Sequence, residues 1–364
     1  MKTTNANVLV TAVGGIVSQG IIKCLKLANA SNDSPVNYRI IATDACAQAA
    51  GLYRCDQGIL IPPASSPNYI NSIINISREF NIHAIYAGSD EELVPLANAK
   101  KQIENQTGAK VLTNPKEVII IARDKWKTFQ FLRENNLPSA ASSVPEDSEE
   151  FIREFGFPVV VKPREGFGSK YFYIVNDKAE MKYAICKIQN VGWNAILQEY
   201  INDSNNNDNT IEFTSGVTID ASGKSIMSSI SIKKIIKNGQ TYKAFIDSFE
   251  SVRRSAEEVA LRLGAVGAVN IQGMFTKKDQ LKVFEINPRF SATCPMRSVA
   301  GVNEPDIIFR NTLLHEDIEV RQYRKLVCMR YWNEVYVQYA TYEKTSTTGK
   351  VENGNDNSFV LNYF

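Results

Sequence analysis

Apolar positions in the first 115 residues fall into short runs separated by glycine turns and helix-spaced stretches. Val8 to Thr11 is strand-like, Ala12-Val13-Gly14-Gly15 is a turn, and Ile16, Gly20, Ile21, Cys24 and Leu27 lie at helical spacing. Tyr38 to Thr43 is a second strand and ends at Asp44. Strand, glycine turn, helix, strand and acidic residue make a βαβ start. Ala84 to Ala87 reads as a further strand, and Gly88-Ser89-Asp90-Glu91-Glu92 as the loop or helix cap that follows it. The pattern predicts a parallel α/β domain over residues 1–115.

Pro115 opens a helix that runs into Arg123-Asp124-Lys125, and a second amphipathic stretch reaches Asn135. Pro138 and the Ser/Pro/Glu-rich segment Ser142 to Glu149 interrupt it. A short helix over Phe151 to Phe155 precedes a buried-type strand, Pro158 to Lys162. Gly166-Phe167-Gly168-Ser169 is a glycine-containing loop, and Tyr171 to Val175 is the returning strand. Strands are expected over Asn194 to Ile201, Ile211 to Asp220 and Ser225 to Lys234, with a polar Asn/Asp/Ser loop at 202–209. A helix over Phe249 to Leu263 follows. From His315 the chain carries a β-type run, Leu326 to Tyr342, then a polar stretch, Thr345 to Asn357, expected to be mobile.

Two further segments alternate apolar and polar: Ala268 to Phe275 and Leu281 to Asn287. A hairpin with Lys278-Asp279 at its tip sets Gln272 opposite Glu285 and Asn270 opposite Asn287. Side chains alternate along a strand, so these four share one face, leaving Ile271, Phe275, Phe284 and Ile286 for the core. One carboxylate with amide oxygens suits a hard cation such as magnesium, which takes oxygen ligands and leaves positions for phosphate and water. A polar face meeting water is the plainer account of any one of these residues. Arg289, just beyond Pro288, adds a cation beside the cluster where a phosphoryl group would bridge both.

Composition narrows the function classes. Hydrophobic residues make up 44% and charged residues 22% of 364 residues, with a net charge of +2. That near-neutral balance predicts neither a nucleic-acid nor an anionic-membrane partner. No apolar stretch approaches the roughly 20 residues of a membrane span, and the start Met1-Lys2-Thr3-Thr4-Asn5 has no apolar signal region, so a cytoplasmic location is expected. Six cysteines without a Cys-x-x-Cys pair point to reduced thiols, and two histidines rule out a His-rich metal site. Lys162 ends a strand facing the Gly166/Gly168 loop, whose backbone N–H groups would suit phosphate. Taken singly, that loop reads as an ordinary β-turn, Lys125 as a solvated helix lysine, and Glu199 and Glu212 as strand-end glutamates.

The ordered set is more specific: Asp124-Lys125, Val160-Val161-Lys162-Pro163 with Gly166-Phe167-Gly168-Ser169, Gln198-Glu199-Tyr200-Ile201, Glu212-Phe213-Thr214, Asn270-Ile271-Gln272 and Phe284-Glu285-Ile286-Asn287-Pro288-Arg289. It resembles the ATP-grasp superfamily, and most closely a single module of carbamoyl-phosphate synthase large subunits or a stand-alone carboxylate–amine ligase. The resemblance covers about residues 1–310. It implies an α/β and α+β ATP-grasp fold with a Rossmann-like pre-ATP-grasp domain (1–115), a small lid subdomain (116–200), a large subdomain with the metal site (201–314) and a β-rich tail completing it (315–364).

It further implies ATP and one or two magnesium ions, with manganese as a substitute. Lys125 and Lys162 would hold ATP phosphates under a loop of Gly166, Gly168 and Ser169. Glu199, Tyr200 and Ile201 would read adenine and Glu212 the ribose. Gln272, Glu285 and Asn287 would ligate metal, with Glu285 bridging. Arg289, with Lys162, would act in catalysis on the transferred phosphoryl group. The implied reaction activates a carboxylate as an acyl phosphate for attack by an amine or ammonia, an ADP-forming ligation. The partners are small molecules, and a homodimer is compatible with the family.

Two alternatives stand beside this reading: a nucleotide-binding regulatory module without turnover, and carbamoyl-phosphate-synthase-like phosphorylation of bicarbonate or carbamate. A nicotinamide-dependent oxidoreductase is disfavoured because Gly14-Gly15 does not complete Gly-x-Gly-x-x-Gly. The acceptor pocket is expected among Gly14, Gly15, Ser89, Asp90, Glu91, Arg297 and Ser298, with Arg297 open between a substrate contact and a structural ion pair.

Overall fold

The computed structural model describes residues 4–166, 170–201, 212–276, 281–331, 333–353 and 358–361. Gly168, Ser169, the loop at 202–209 and the Lys278-Asp279 tip lie outside the described residues.

The first layer follows the expected alternation: β1 (Thr4–Val10), α1 (Ile16–Ala30), β2 (Val36–Asp44), β3 (Gln57–Leu60), α2 (Tyr69–Glu79), β4 (Ala84–Tyr86), α3 (Asp90–Thr107) and β5 (Lys110–Val111). These strands run parallel in the order β3-β2-β1-β4-β5. The central β1 buries Val8, Leu9 and Val10 completely, as a parallel strand covered on both faces must. The order reverses between β1 and β4, which opens a crevice beyond their carboxyl ends. Gly14-Gly15 follows β1 and Ser89-Asp90 follows β4, so both turns border it. Ser89 and Glu92 form a capping box that starts α3 at Asp90.

Next come α4 (Lys116–Arg123) and α5 (Lys125–Glu134). Asp124 caps α5 by accepting from the Trp126 and Lys127 backbone N–H groups, and so fixes Lys125 as the first helical residue. A four-stranded antiparallel sheet follows: β6 (Ser142–Ser143), α6 (Ser148–Phe155), β7 (Val159–Pro163), β8 (Tyr173–Val175), α7 (Lys178–Gln189) and β9 (Ala195–Glu199), in the order β6-β9-β7-β8. Val159 and Val161 pack with Met181, Ala184 and Ile188 of α7, which turns Val160 and Lys162 to the opposite face.

The remaining chain builds β10 (Glu212–Ile219), β11 (Ile226–Lys237), β12 (Gln240–Ile246), α8 (Glu250–Arg262), β13 (Gly267–Phe275), β14 (Leu281–Asn287), α9 (Cys294–Ala300), α10 (Glu304–Leu314), β15 (Leu326–Met329), β16 (Val335–Val337), α11 (Tyr339–Thr348), β17 (Lys350–Glu352) and β18 (Ser358–Val360). Its six-stranded sheet has the order β14-β13-β10-β11-β12-β15. Val118, Ala122 and Leu132 of α4 and α5 share a core with α8, β13 and β14, so these two helices pack on the large sheet. The tail divides its strands: β15 joins β12, β17 pairs antiparallel with β3, and β16 pairs with β18. Residues 339–348, assigned from sequence partly to a β-type run and partly to a mobile stretch, form α11 instead.

The β13–β14 pairing has Gln272 opposite Glu285 and Asn270 opposite Asn287, as the alternation predicts. The register then slips by one residue, with Gly273 opposite Val283. Phe284 is the extra residue of this bulge. Leu281 and Val283 therefore face the core with Ile286, whereas Phe284, expected in the core, turns to the other side beside Glu285.

Arg297 is settled as a structural residue. It is 1% exposed, pairs with Glu304 at 2.9 Å, and donates to Asn270 Oδ1 at 2.7 Å. Asn270 is thereby committed to this buried network, together with Thr214. A Cβ at Gly216 would collide with both the Arg297 guanidinium and the Glu304 carboxylate. Gly216→Ala should therefore cost about 3 kcal/mol or more of stability, read as a fall in the urea midpoint of unfolding. An unchanged midpoint would mean that the ion pair shifts freely.

Candidate functional site

A cavity of about 390 Å³ lies between the four-stranded and six-stranded sheets. Strand alternation delivers its polar lining: Lys162 from β7, Gln198 from β9, Glu212 from β10, Lys234 from β11, Gln272 from β13 and Glu285 from β14. Apolar surface comes from Val160, Phe172, Ile174, Met274 and Phe284, beside Tyr200 and Ile201. Lys162 is 7% exposed, donates to Gln198 Oε1 at 2.8 Å and lies 5.1 Å from the centre of the Phe284 ring. Burial, reinforced by repulsion from Lys125, pulls the Lys162 pKa down to about 7, against the attraction of Glu285 and Glu212.

Lys125 enters from the other side. Arg164 clamps Asp124 through two bonds of 3.0 and 2.5 Å, and its carbonyl accepts the Lys125 backbone N–H. That anchorage points Lys125 Nζ at the Gly166 carbonyl, 3.3 Å away. Burial pushes the Glu285 carboxyl up, but Lys125 and Lys162, with Asn287 and Lys234, hold it below the usual carboxylate range. A half-buried carboxylate is thus kept ionised by the lysines around it.

Glu285, Lys125 and Gly166 also line a second cavity, of about 340 Å³, with Asn287, Arg123, Arg164 and Asp90. Arg289 forks onto Asp90 at 2.8 and 2.6 Å and onto Asn287 Oδ1 at 3.1 Å. The first turn of α3 is in this way tied to the segment that follows β14. Burial raises the cost of charging Asp90, and Arg289 overcomes it to hold that carboxyl low.

Of the residues singled out from sequence, Lys125, Lys162, Gly166, Glu199, Tyr200, Ile201, Glu212, Gln272 and Glu285 converge on the first cavity, and Asn287 and Arg289 flank the second. The Glu199 carboxylate is occupied: Lys282 Nζ reaches both of its oxygens at 2.6 Å and Ala141 N–H donates at 2.7 Å. Its side chain is a strut, and its backbone N–H is also bonded, to the Ala141 carbonyl at 2.9 Å. Of the residues expected at the acceptor pocket, Asp90 and Glu91 line the second cavity, whereas Gly14, Gly15, Ser89 and Ser298 line neither.

Lys234 was missed. Its ammonium bonds Glu212 at 2.6 Å and Gln272 Oε1 at 2.7 Å, which makes it the hub of the cavity floor. The signal available in the sequence was Asn238-Gly239, the strongest dipeptide for a two-residue hairpin. It extends the strand past Lys234, and pairing then sets Lys234 opposite Glu212.

Among the described residues no group of three or more His, Cys, Asp or Glu side chains is placed to hold a metal. A cation here would rest on one carboxylate, Glu285, and on amide oxygens of Asn287 and Gln272, and would draw its remaining oxygens from a ligand. That donor set fits magnesium, which keeps few protein carboxylates.

Fold and site together define an ATP-grasp architecture. Residues 122–293 match the family described as ATP-grasp domain, and residues 9–112 match the PylC-like, N-terminal domain. The chain is built from an ATP-grasp domain preceded by a PylC-like N-terminal domain.

Among curated relatives, the carbamoyl phosphate synthase large chain of Campylobacter jejuni is 27% identical over 225 residues, which is 57% of this chain and 19% of that one. The carbamoyl-phosphate synthase of Methanobrevibacter smithii is 25% identical over 271 residues, 72% of this chain and 71% of that one. This chain spans about a fifth of the length of the full large chains, 19% and 22% of two of them. Among solved structures, N5-carboxyaminoimidazole synthetase from Staphylococcus aureus complexed with ADP has a TM-score of 0.68 at 14% identity, over 91% of this chain and 83% of that one. The biotin carboxylase domain dimer of Hydrogenobacter thermophilus 2-oxoglutarate carboxylase, with MgADP, ADP and bicarbonate, has a TM-score of 0.65 at 18% identity, over 87% and 71%. At these identities the structural likeness establishes the fold. No helix among the described residues is long and apolar enough to cross a membrane.

The electrostatics make a signed prediction. In a lysine-detected NMR titration one ammonium, Lys162, should have a midpoint near 7. Glu285→Gln should move that midpoint lower, because an attracting charge is lost. Lys125→Met should move it higher, because a repelling charge is lost. Midpoints indifferent to both substitutions would dissolve the coupling described here.

Proposed function

We propose that this chain is an ATP- and magnesium-dependent, ADP-forming ligase that activates a carboxylate for attack by an amine or ammonia. The observation that carries the reading is the ionised Glu285 at the junction of two cavities, with Lys125 and Lys162 beside it. The 390 Å³ cavity offers apolar surface at one end and lysines at the other, which suits a nucleoside triphosphate. In this reading Tyr200 and Ile201 meet the base, Glu212 the ribose, and Lys125 and Lys162 the phosphates, with Gly168 and Ser169 in the covering loop.

Glu285, Asn287 and Gln272 would hold magnesium, which when bound neutralises phosphate charge. Gln272 would leave Lys234 to do so. The Arg289 fork is matched by Asp90, with Asn287 and the Phe290 carbonyl taking further N–H groups, so Arg289 would turn its fork to a phosphoryl group or carboxylate only by exchanging Asp90 for it. The second cavity, on the far side of Glu285, is where the activated carboxylate would lie, excluded from the nucleotide's apolar slot. Bicarbonate or carbamate would be the substrate in a carbamoyl-phosphate-synthase-like version of the same chemistry.

Magnesium-dependent ADP release, measured against a panel of carboxylates with and without amines and ammonium, tests the reading. Stimulation by one acid–amine pair is expected, and Glu285→Ala should abolish it in a folded protein. Tight MgATP binding with a flat response to the whole panel would favour the regulatory-module alternative.

Nucleotide binding should also move a proton. Above pH 7 Lys162 is mostly neutral in the free protein. A polyphosphate favours its charged form, so binding at pH 8 takes up a proton, to a limit of about one. Calorimetry in buffers of different ionisation enthalpy would measure the uptake, and Lys162→Met should remove it. Uptake that persists in that variant would place the titrating group elsewhere.

A further inference from the structure

A third cavity, of about 470 Å³, lies across the β11–β12 turn from the nucleotide cavity. Ile236 and Gly239 line the nucleotide cavity, whereas Lys237 and Asn238 line this one. Lys237 pairs with Gln240, and Asn238 and Gly239 have φ of +52° and +71°, a two-residue turn of the I′ kind. The partition is therefore a single hairpin tip. Gln19 and Lys23 of α1 contribute to another wall. Ala292, three residues after Arg289, and Arg330, just past β15, complete the enclosure.

The lining carries three cations, Lys23, Lys237 and Arg330, and no carboxylate. Among the described residues none of the three has an acidic partner within ion-pair distance. Arg330 donates to the carbonyls of Thr241 at 3.0 Å and Ala292 at 2.6 Å. Those bonds go to neutral carbonyls, so they fix its guanidinium without neutralising it. The Lys237 ammonium lies 5.2 Å from the centre of the Tyr242 ring, which again orients a charge without cancelling it. The nucleotide cavity is different, because there Lys234 is matched by Glu212. Three cations that line a concave site one hairpin tip away from the nucleotide cavity, none with an acidic partner among the described residues, make a site suited to an anion.

We propose that this cavity binds the anionic end, a carboxylate or phosphate, of the second substrate, the nucleophile that the activated carboxylate meets. This rests on the ligase reading above. It narrows the acceptor from any amine to one that bears a negative charge away from its reacting nitrogen, and disfavours free ammonia.

The probes are inorganic phosphate, succinate and the neutral succinamide, titrated calorimetrically into the full chain with and without saturating MgADP. Wild-type protein should bind at least one anion with MgADP present, and should not bind succinamide. Phosphate preferred over succinate, or the reverse, identifies the anion. The variant Lys23→Ala/Lys237→Ala alters two exposed side chains and should fold normally. It should weaken anion binding by about tenfold or more and leave MgADP affinity unchanged. Equal anion affinity in variant and wild type, or no anion binding by wild type, overturns the proposal. Failure of both proteins to bind MgADP would instead overturn the nucleotide reading, and the nucleotide-free titration would still report on the cavity.

Discussion

The Glu285 carboxylate is half-buried between two cavities and yet ionised, and the site is arranged around that constraint. An isolated charge in such surroundings would take up a proton to escape the desolvation cost. Lys125 and Lys162 prevent it from opposite sides, one from the start of α5 and one from β7, and Lys234 adds to them from β11. The lysines carry their own penalty, visible in the Lys162 value near 7. Neither sign of charge is comfortable alone. Their shared discomfort gives the cavity its readiness for a ligand that brings both a cation and a polyanion.

Holding these groups together requires that separately built sheets stay in register with one another. The Arg289–Asp90 fork ties the crevice end of the first sheet to the segment after β14. Deeper in, Asp306 of α10 accepts from Ser34 and Tyr38 at 2.6 and 2.7 Å, joining the first domain to the large one. The Arg297–Glu304 pair lies under β10 and β13, where Gly216 leaves room for it. These contacts are polar and buried or part-buried, so each is specific in geometry and sensitive to losing a partner. The chemistry on one face is thus supported by ion pairs that never touch a ligand.

Much of this was legible in local pattern. The βαβ start is written in Val8–Thr11, the Gly14-Gly15 turn and the helical spacing from Ile16, and the Gln272–Glu285 pairing in the alternation of two strands. Legibility ended where a side chain's role depends on a partner remote in sequence. Phe284 was assigned to the core because alternation cannot foresee a bulge. Glu199 looked free because Lys282, its partner, comes 83 residues later. Lys234 stands at the end of an expected strand, and the Asn238-Gly239 turn extends that strand, but only the β10–β11 register puts it opposite Glu212. In residues 339–348, rich in threonine and tyrosine, weak helix propensity pointed away from the helix that packing produces.

The pairing of β17 with β3 bears on how the molecule is made. The Gln57 side chain bonds the Val351 carbonyl across 294 positions of sequence, and among the described residues β17 is the strand that covers the outer edge of β3. During synthesis the β1–β5 sheet must wait, with that edge bare, until residues near 350 have left the ribosome. An open edge is a template for pairing with other chains. β17 therefore acts as a closure that arrives late, and deleting residues 350–352 would leave the β1–β5 sheet permanently unfinished along that edge.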